Sequence, residues 1–511
     1  MTGGILHLSS YNQTGYDIIH INPQITFFKK VYKRHTNFGI ETIKQSLTVT
    51  PDFNTTNNIF ISKTGSLITN MYFDFSLPPA AAPGANNQGV VSNYLNYAHW
   101  VNNVGHAIID EVSLFISNNI IDKHNGLYYD ILNELTDPNH KEWPLIGKYD
   151  ESGLINLEEK HSTKYCVPLK FYFNKNSGLG LPIFLLDENN VRLELKLNSL
   201  ESLLKFDKTG TTTITSRSIS EFNFYTTYIF LEKEEECKIK NNLPVEYLIE
   251  TIDIVDNLNQ NQLNNIVVNN PVKELIWVFR HNNRLLTGSK TNDPLHTNNI
   301  TLTERNDIFN YSNNNIKTTN FKNYDTFTNL EILIGNNIRV NKQDAYYFRN
   351  IQPYTYHSNI PGGINQNEQK KYIYSYSFSL EPESYQPTGT YNFTKLNEKL
   401  KMNFTGHDLT NFTFTMFLCK YEYLTINNGK ATKNDVPFQS MIDENINNTL
   451  KQIHCDNKPV KNIIESEEKK KFAYNNEIKR RLVINNQCIP NNVKANSKSK
   501  VKWAGLQGSI N

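Results

Sequence analysis

The chain has 511 residues and a mass of 59.1 kDa, with 52 Lys and Arg against 50 Asp and Glu. At about 150 residues per domain, that length predicts roughly three domains, or two large all-β ones, with a core that needs no staples. The even charge excludes a surface given over wholly to nucleic acid or an anionic membrane, and 12% aromatic residues exclude a disordered chain despite a mean hydropathy of −0.53.

In chain order, Met1 to Ser10 lacks the charged and apolar regions of a signal peptide. No apolar run approaches the ~18 residues of a membrane helix, so a soluble chain made in the cytosol is expected. Pro78 to Asn87, Asn118–Asn119, Asn174 to Gly178 and Pro361–Gly363 read as turns. Between them the period is two. Val191, Leu193, Leu195 and Leu197 alternate with Arg192, Glu194 and Lys196, a half-buried strand. Tyr372 to Ser379 and Phe412 to Leu418 repeat the pattern with aromatic and β-branched residues. Many short strands with such punctuation predict sandwiches or barrels.

Two polar stretches, Asn257 to Asn270 and His281 to Thr328, read as long surface connections, and the second is expected to crown the outer end of a sandwich. One helix is expected at about Glu465 to Ile484, with Glu465, Glu467 and Glu468 in its first turn and Lys479, Arg480 and Arg481 in its last. From Lys458 to Asn511, twelve Lys and Arg face four Asp and Glu, a local charge of about +8.

No catalytic pattern emerges. Gly288-Ser289-Lys290-Thr291 lacks the upstream glycine of a phosphate loop, and Ser289 separates its Gly from its Lys. His454 and Cys455 are adjacent rather than at ligand spacing. Cys166, Cys237, Cys419, Cys455 and Cys488 are odd in number and form no CxxC, which points to a reducing compartment rather than a disulfide framework or zinc ribbon. The acidic run Glu232, Glu234, Glu235 and Glu236 reads as a solvated face or a domain junction. Sequons at Asn12, Asn54, Asn299, Asn310, Asn392, Asn403, Asn411 and Asn447 are what an Asn-rich chain supplies by chance. No catalytic, cofactor-binding or metal-binding residue is assigned, no cofactor is expected, and the protein is read as a non-enzyme.

A series of blocks carries a specific resemblance. Asn22-Pro23-Gln24-Ile25-Thr26-Phe27-Phe28-Lys29 with Val31-Tyr32-Lys33-Arg34-His35 resembles the opening of the major capsid proteins of nucleocytoplasmic large DNA viruses. In the family's order follow Trp100, Val104 to Ile109, Asn133-Glu134-Leu135, Val167 to Asn174 with Gly178 to Pro182, and Pro271 to Trp277. Gln352-Pro353-Tyr354, Tyr374 to Glu383 and Gln386 to Phe393 complete the series.

The resemblance implies an all-β double jelly roll: two eight-stranded antiparallel β-sandwiches in tandem, with a C-terminal extension containing a helix. The expected layout is an N-terminal arm at 1–25, a first jelly roll at 26–218, a second at 219–429 that includes Phe222 to Leu231 and Leu275 to Phe279 as core strands, and a basic extension at 430–511. It also implies a homotrimer forming a pseudo-hexagonal capsomer of an icosahedral virion. Expected partners are neighbouring capsomers, minor capsid proteins and the internal viral membrane, reached by the basic tail, with no specific nucleic acid and with assembly in the host cytoplasm. A minor capsid paralogue and a glycan- or host-binding surface module are the alternative readings.

Overall fold

The computed structural model describes residues 36–78, 98–148, 163–188, 190–206, 217–256, 263, 265–285, 306–313, 325–362, 371–393, 399–406 and 412–434. The expected helix at Glu465 to Ile484, Gly288 to Thr291, His454 and Cys455 lie outside these residues.

The first half runs through β1 (Phe38–Lys44), β2 (Thr56–Phe60), β3 (Leu67–Leu77), β4 (Ala98–Trp100), β5 (Ile109–Ile116), β6 (Asn119–His124), β7 (Thr163–Pro168), β8 (Val191–Leu197), β9 (Leu204–Phe206) and β10 (Glu221–Leu231). Two antiparallel sheets form, in the orders β1-β10-β3-β7 and β2-β8-β5-β6. With the short β4–β9 pair set aside, this is strand order 1-8-3-6 facing 2-7-4-5, the jelly-roll arrangement. The alternation in β8 is as expected: Val191, Leu193, Leu195 and Leu197 are buried while the intervening charges face outward. Phe73, Phe75 and Phe222 fill the space between the sheets, Phe73 stacking on Phe222 at 5.2 Å.

The second half repeats the plan with β11 (Val245–Asp256), β12 (Pro271–His281), β13 (Asn329–Ile334), β14 (Asn337–Asp344), β15 (Tyr374–Ser377), β16 (Tyr391–Asn392), β17 (Leu400–Thr405), β18 (Phe412–Asn427) and β19 (Lys430–Asn434). One sheet is β11-β18-β12-β15 and the other β14-β13-β17, extended by a single bridge between Ile266 and Leu400. That bridge stands where the second strand of a jelly roll belongs, so this half also reads 1-8-3-6 facing 2-7-4-5. Trp277, Phe279, Phe327, Tyr374 and Phe404 make its aromatic core.

The two β5–β6 and β13–β14 hairpins turn in two residues. Ser117 and Asn118 both have positive φ (52° and 68°), the conformation of a type I′ turn, and Asn tolerates it. At the opposite end of each sandwich lie the longest connections, β3 to β5, β6 to β7 and β12 to β13 among them. β4 and β9, which belong to two of these connections, pair there.

Four expectations need correction. Phe222 to Leu231 is not a second-half strand: β10 inserts between β1 and β3, so the division at 218/219 falls one strand early. Its aromatic pattern reports burial, not partner. The second half also continues past 429, because β19 pairs with β18 from Asn427↔Lys430 to Tyr423↔Asn434. Phe412 to Leu418 presents no wet face, since β18 is a central strand buried on both sides. Within the supposed surface loop 281–328, Asn306, Phe309, Tyr311 and Ser312 are buried.

Candidate functional site

The residues with the most perturbed chemistry lie along the seam where the two sandwiches meet. Helix α1 (Gly126–Thr136) follows β6 directly. Asn125 caps it, its Oδ1 accepting from Tyr128 N at 2.9 Å. Gly126 has no room for a side chain, because a Cβ there would lie 2.0 Å from the His106 carbonyl oxygen. This close approach holds α1 against the first sandwich and turns Tyr128, Asp130 and Glu134 toward the second.

Asp130 is fully buried. Its carboxylate accepts from Lys371 Nζ at 2.7 and 2.9 Å, from Tyr311 Oη at 2.5 Å and from Asn103 Nδ2 at 2.8 Å. Lys148 Nζ lies 3.8 Å away and also meets Glu134 at 2.8 Å and Asn133 Oδ1 at 2.9 Å. Burial alone would raise the Asp130 pKa. The Lys371 and Lys148 ammoniums, with hydrogen bonds from Lys371 and Tyr311, outweigh it and hold the carboxyl at about 2. Lys371 and Tyr311 come from the second half, so this cluster ties the halves together.

A second cluster repeats the logic from the other side. Glu250 on β11 accepts from Lys175 of the first half at 2.7 Å and from Lys273 on β12 at 2.6 Å. Burial opposes its charge, and the two ammoniums prevail, lowering its pKa to about 2. Lys175 and Lys273 are in turn shifted upward: burial disfavours their charge, and Glu250 overcomes that. Lys273 also donates to the Pro382 carbonyl at 2.7 Å.

Further contacts line the seam. Asp122 on β6 accepts from Ile252 N at 3.1 Å and pairs with His124 at 2.8 Å, and the His124 ring stacks on Phe171 at 4.7 Å. Tyr128 packs against Phe417 at 5.5 Å. On the long-connection side, Asn306 Nδ2 donates to the Glu201 and Leu204 carbonyls. On the tight-turn side, Asn190 donates to the Gly429 carbonyl at 3.0 Å and Asn119 to the Ala431 carbonyl at 3.1 Å. The sandwiches therefore stand side by side with like ends together. A cleft of about 830 Å³, lined by Tyr72, Leu132, Leu248, Ile276 and Tyr385, opens between their outer faces.

Chemically this is a clamp. Its carboxylates are neutralised by lysines, and burial holds His106 well below its ordinary pKa and Cys419 well above. Among the described residues no three His, Cys, Asp or Glu side chains gather as a metal site, and Cys166, Cys237 and Cys419 are unbridged thiols. The acidic run Glu232 to Glu236 opens helix α2 (Lys233–Asn241), which links the two halves, with Lys238 and Lys240 in its last turn. Asn310 of the sequon set is buried and bonded to Ser312 and Asp307. The sequence reading assigned no role to Asp130, Lys148, Glu250, Lys273 or Lys371. The available signal was charge inside apolar patterns: Asp130 within Leu127 to Leu135, and Lys273 in the fully buried stretch of β12.

Comparison with known proteins agrees with this architecture. Residues 26–232 match the family described as "Major capsid protein N-terminus", and residues 236–431 match "Large eukaryotic DNA virus major capsid protein". The major capsid protein of Pyramimonas orientalis virus is 27% identical over 84% of this chain and 98% of its own length. Capsid protein 1 of Acanthamoeba polyphaga mimivirus is 31% identical over 58% of this chain, which spans about half (51%) of that relative. Among solved structures, the PBCV-1 virus capsid superposes with a TM-score of 0.61 at 22% identity, covering 80% of this chain and all (100%) of that one. The Faustovirus major capsid protein does so with a TM-score of 0.61 at 14% identity, covering 83% and 96%. Two like jelly rolls, clamped side by side by buried ion clusters and matched half by half, make this chain a member of the family of major capsid proteins of large eukaryotic DNA viruses, the structural proteins of their icosahedral shells.

Proposed function

We propose that the chain is the bulk tile of its shell, rather than a minor component, and that three copies make one capsomer of pseudo-hexagonal outline. The carrying observation is the repeat itself: two sandwiches of one strand order stand parallel, with like ends together. Three such chains present six similar sandwiches around a three-fold axis. The end bearing the long connections suits the outside, where loops vary without disturbing the walls, and the tight-turn end suits the interior. Neighbouring capsomers are the lateral partners. The role is mechanical and involves no catalysis or specific nucleic acid, and assembly takes place in the host cytoplasm.

The basic extension, about +8 from Lys458 to Asn511, is assigned to the inner side. There it meets acidic minor capsid proteins or an enclosed anionic membrane, each surface-facing cation adding up to ~1 kcal/mol before screening. Size exclusion with light scattering is expected to give three times 59.1 kDa. A stable monomer in assembly buffer would refute the capsomer. Deleting Lys458 to Asn511 is expected to leave that trimer intact and to impair particle formation. A truncated chain that cannot trimerise would place the extension in the capsomer itself.

A further inference from the structure

One buried group beside Asp130 takes no part in the charge balance of the seam. His106 lies in the short helix Val104–Ala107 and is fully buried. The backbone around it is pinned on two sides. A Cβ on Gly105 would lie 2.8 Å from Ile146 Cα, and one on Gly126 would lie 2.0 Å from the His106 carbonyl oxygen. The ring is held inside as long as α1 stays docked.

Its hydrogen bonds fix where the ring proton sits. Asn103 Nδ2 donates one hydrogen to Asp130 Oδ1 at 2.8 Å and the other to His106 Nδ1 at 3.1 Å. Nδ1 is therefore an acceptor, and Nε2 carries the single proton of a neutral ring. Among the described residues, Nε2 has no hydrogen-bond partner. A second proton would go to Nδ1, where it would face the Asn103 amide hydrogens. Turning the amide over does not help, because its oxygen would then meet the Asp130 carboxylate. A proton on Nδ1 thus breaks either the Asn103–His106 contact or the Asn103 bridge to Asp130.

The surroundings oppose that charge from every side. Lys371 of the second half and Lys148 and Lys170 of the first all disfavour a cation on His106. Asp130 favours one, but Lys371 at 2.7 Å and Lys148 at 3.8 Å already neutralise it. Glu134 is taken up by Lys148 at 2.8 Å, and the Tyr129 ring meets the imidazole edge-on at 5.6 Å. Burial acts in the same direction as the lysines and holds the imidazole well below its ordinary pKa of 6.5.

We propose that His106 is a catch that mild acid releases: when the clamp opens and water reaches the ring, a second proton settles on Nδ1 and traps the open form, because Asn103 and the three lysines exclude that proton from the closed one. Below the ordinary imidazole value the open form binds two ring protons and the closed form one, so acid favours opening by up to about tenfold per pH unit. Between pH 7.5 and pH 5 the open population is expected to rise about 30-fold from this group alone. Asp130 and Glu250 keep their charge across that range, since both titrate at about 2.

The test compares the full unmutated chain with His106→Asn, whose side-chain oxygen accepts from Asn103 but takes up no proton. Hydrogen exchange is followed by mass spectrometry at pH 7.5 and pH 5, corrected for the intrinsic effect of pH on exchange. In the unmutated chain the opening of α1 is expected to rise about 30-fold, while β8, inside the first sandwich, stays unchanged. In His106→Asn the rise in α1 is expected to be smaller by about tenfold or more. His124 and His357 are present in both chains and cancel in the comparison. Equal pH responses of α1 in the two chains would overturn the catch. If His106→Asn does not fold, the unmutated chain decides: a rise in α1 with β8 unchanged supports the catch, and an α1 that does not respond overturns it.

Discussion

Replacing Asp130 by alanine is expected to lower stability by about 3–5 kcal/mol, the cost of leaving buried charge without its partner. The carboxylate has no exposed surface and gathers Lys371, Tyr311 and Asn103 by hydrogen bond, with Lys148 at 3.8 Å. Removing it leaves Lys148 and Lys371 with Glu134 as their one remaining carboxylate, at 2.8 and 3.7 Å, and leaves the Tyr311 hydroxyl without its acceptor, for which water would have to enter. Asp130→Asn is expected to come close to the same loss, because shape survives but charge balance does not. Pairing Asp130→Ala with Lys371→Met should recover part of it, since deleting both members of a buried pair is far milder than deleting one. Urea unfolding of the four chains measures these differences. A single-variant loss below about 1 kcal/mol would mean the cluster is a bystander, because that is the range of ordinary surface pairs.

The placement of this cluster explains what the sequence could and could not reveal. β8 was readable because its alternation is local: every second residue points inward, and the intervening charges mark the wet face. β10 was readable as a strand but not as the partner of β1 and β3, which lie some 150 residues or more earlier: Phe38 pairs with Leu231 and Phe75 with Phe222. Period-two patterning sets which face is buried and says nothing of which edge is paired. β12 and β18 lose the alternation altogether, because the outer face of their sheet is covered by the neighbouring sandwich and so is apolar too. The buried segment around Tyr311 was hidden for the opposite reason. Its Asn, Ser and Asp residues look solvent-facing, yet they satisfy one another, Asn310 with Asp307 and Ser312, and let Tyr311 reach Asp130. The resemblance to capsid proteins supplied the double jelly roll that periodicity alone left as sandwiches or barrels.

Acid is expected to unlock the seam between about pH 4 and pH 2. Asp130 and Glu250 both have folded-state pKa values of about 2, below ordinary values of 3.8 and 4.5. A carboxylate whose pKa is depressed by folding contributes stability that is fully present above its unfolded value and is lost as pH falls through its folded value. Each carboxyl therefore withdraws on the order of 2 kcal/mol across that window, and neither changes stability between pH 8 and pH 6. Glu383 and Glu422 are depressed in the same direction against the opposition of burial, the first by hydrogen bonds from His357 and Ser358 and the second by Lys420 and Thr251, which adds to the loss. Because the two leading groups sit between the sandwiches rather than within either core, near-ultraviolet circular dichroism from Tyr128 and Tyr311 should change before the far-ultraviolet strand signal does. Glu250→Gln should be less stable than the unmutated chain at pH 6 and should lose less than it on acidification, since the group that titrates is gone. If thermal midpoints at pH 6 and pH 2.5 coincide in the unmutated chain, then Lys371 and Lys273 do not hold these carboxylates as the geometry requires, and the seam is held by its apolar contacts and by neutral hydrogen bonds such as Asn306 to Leu204 and Asn190 to Gly429.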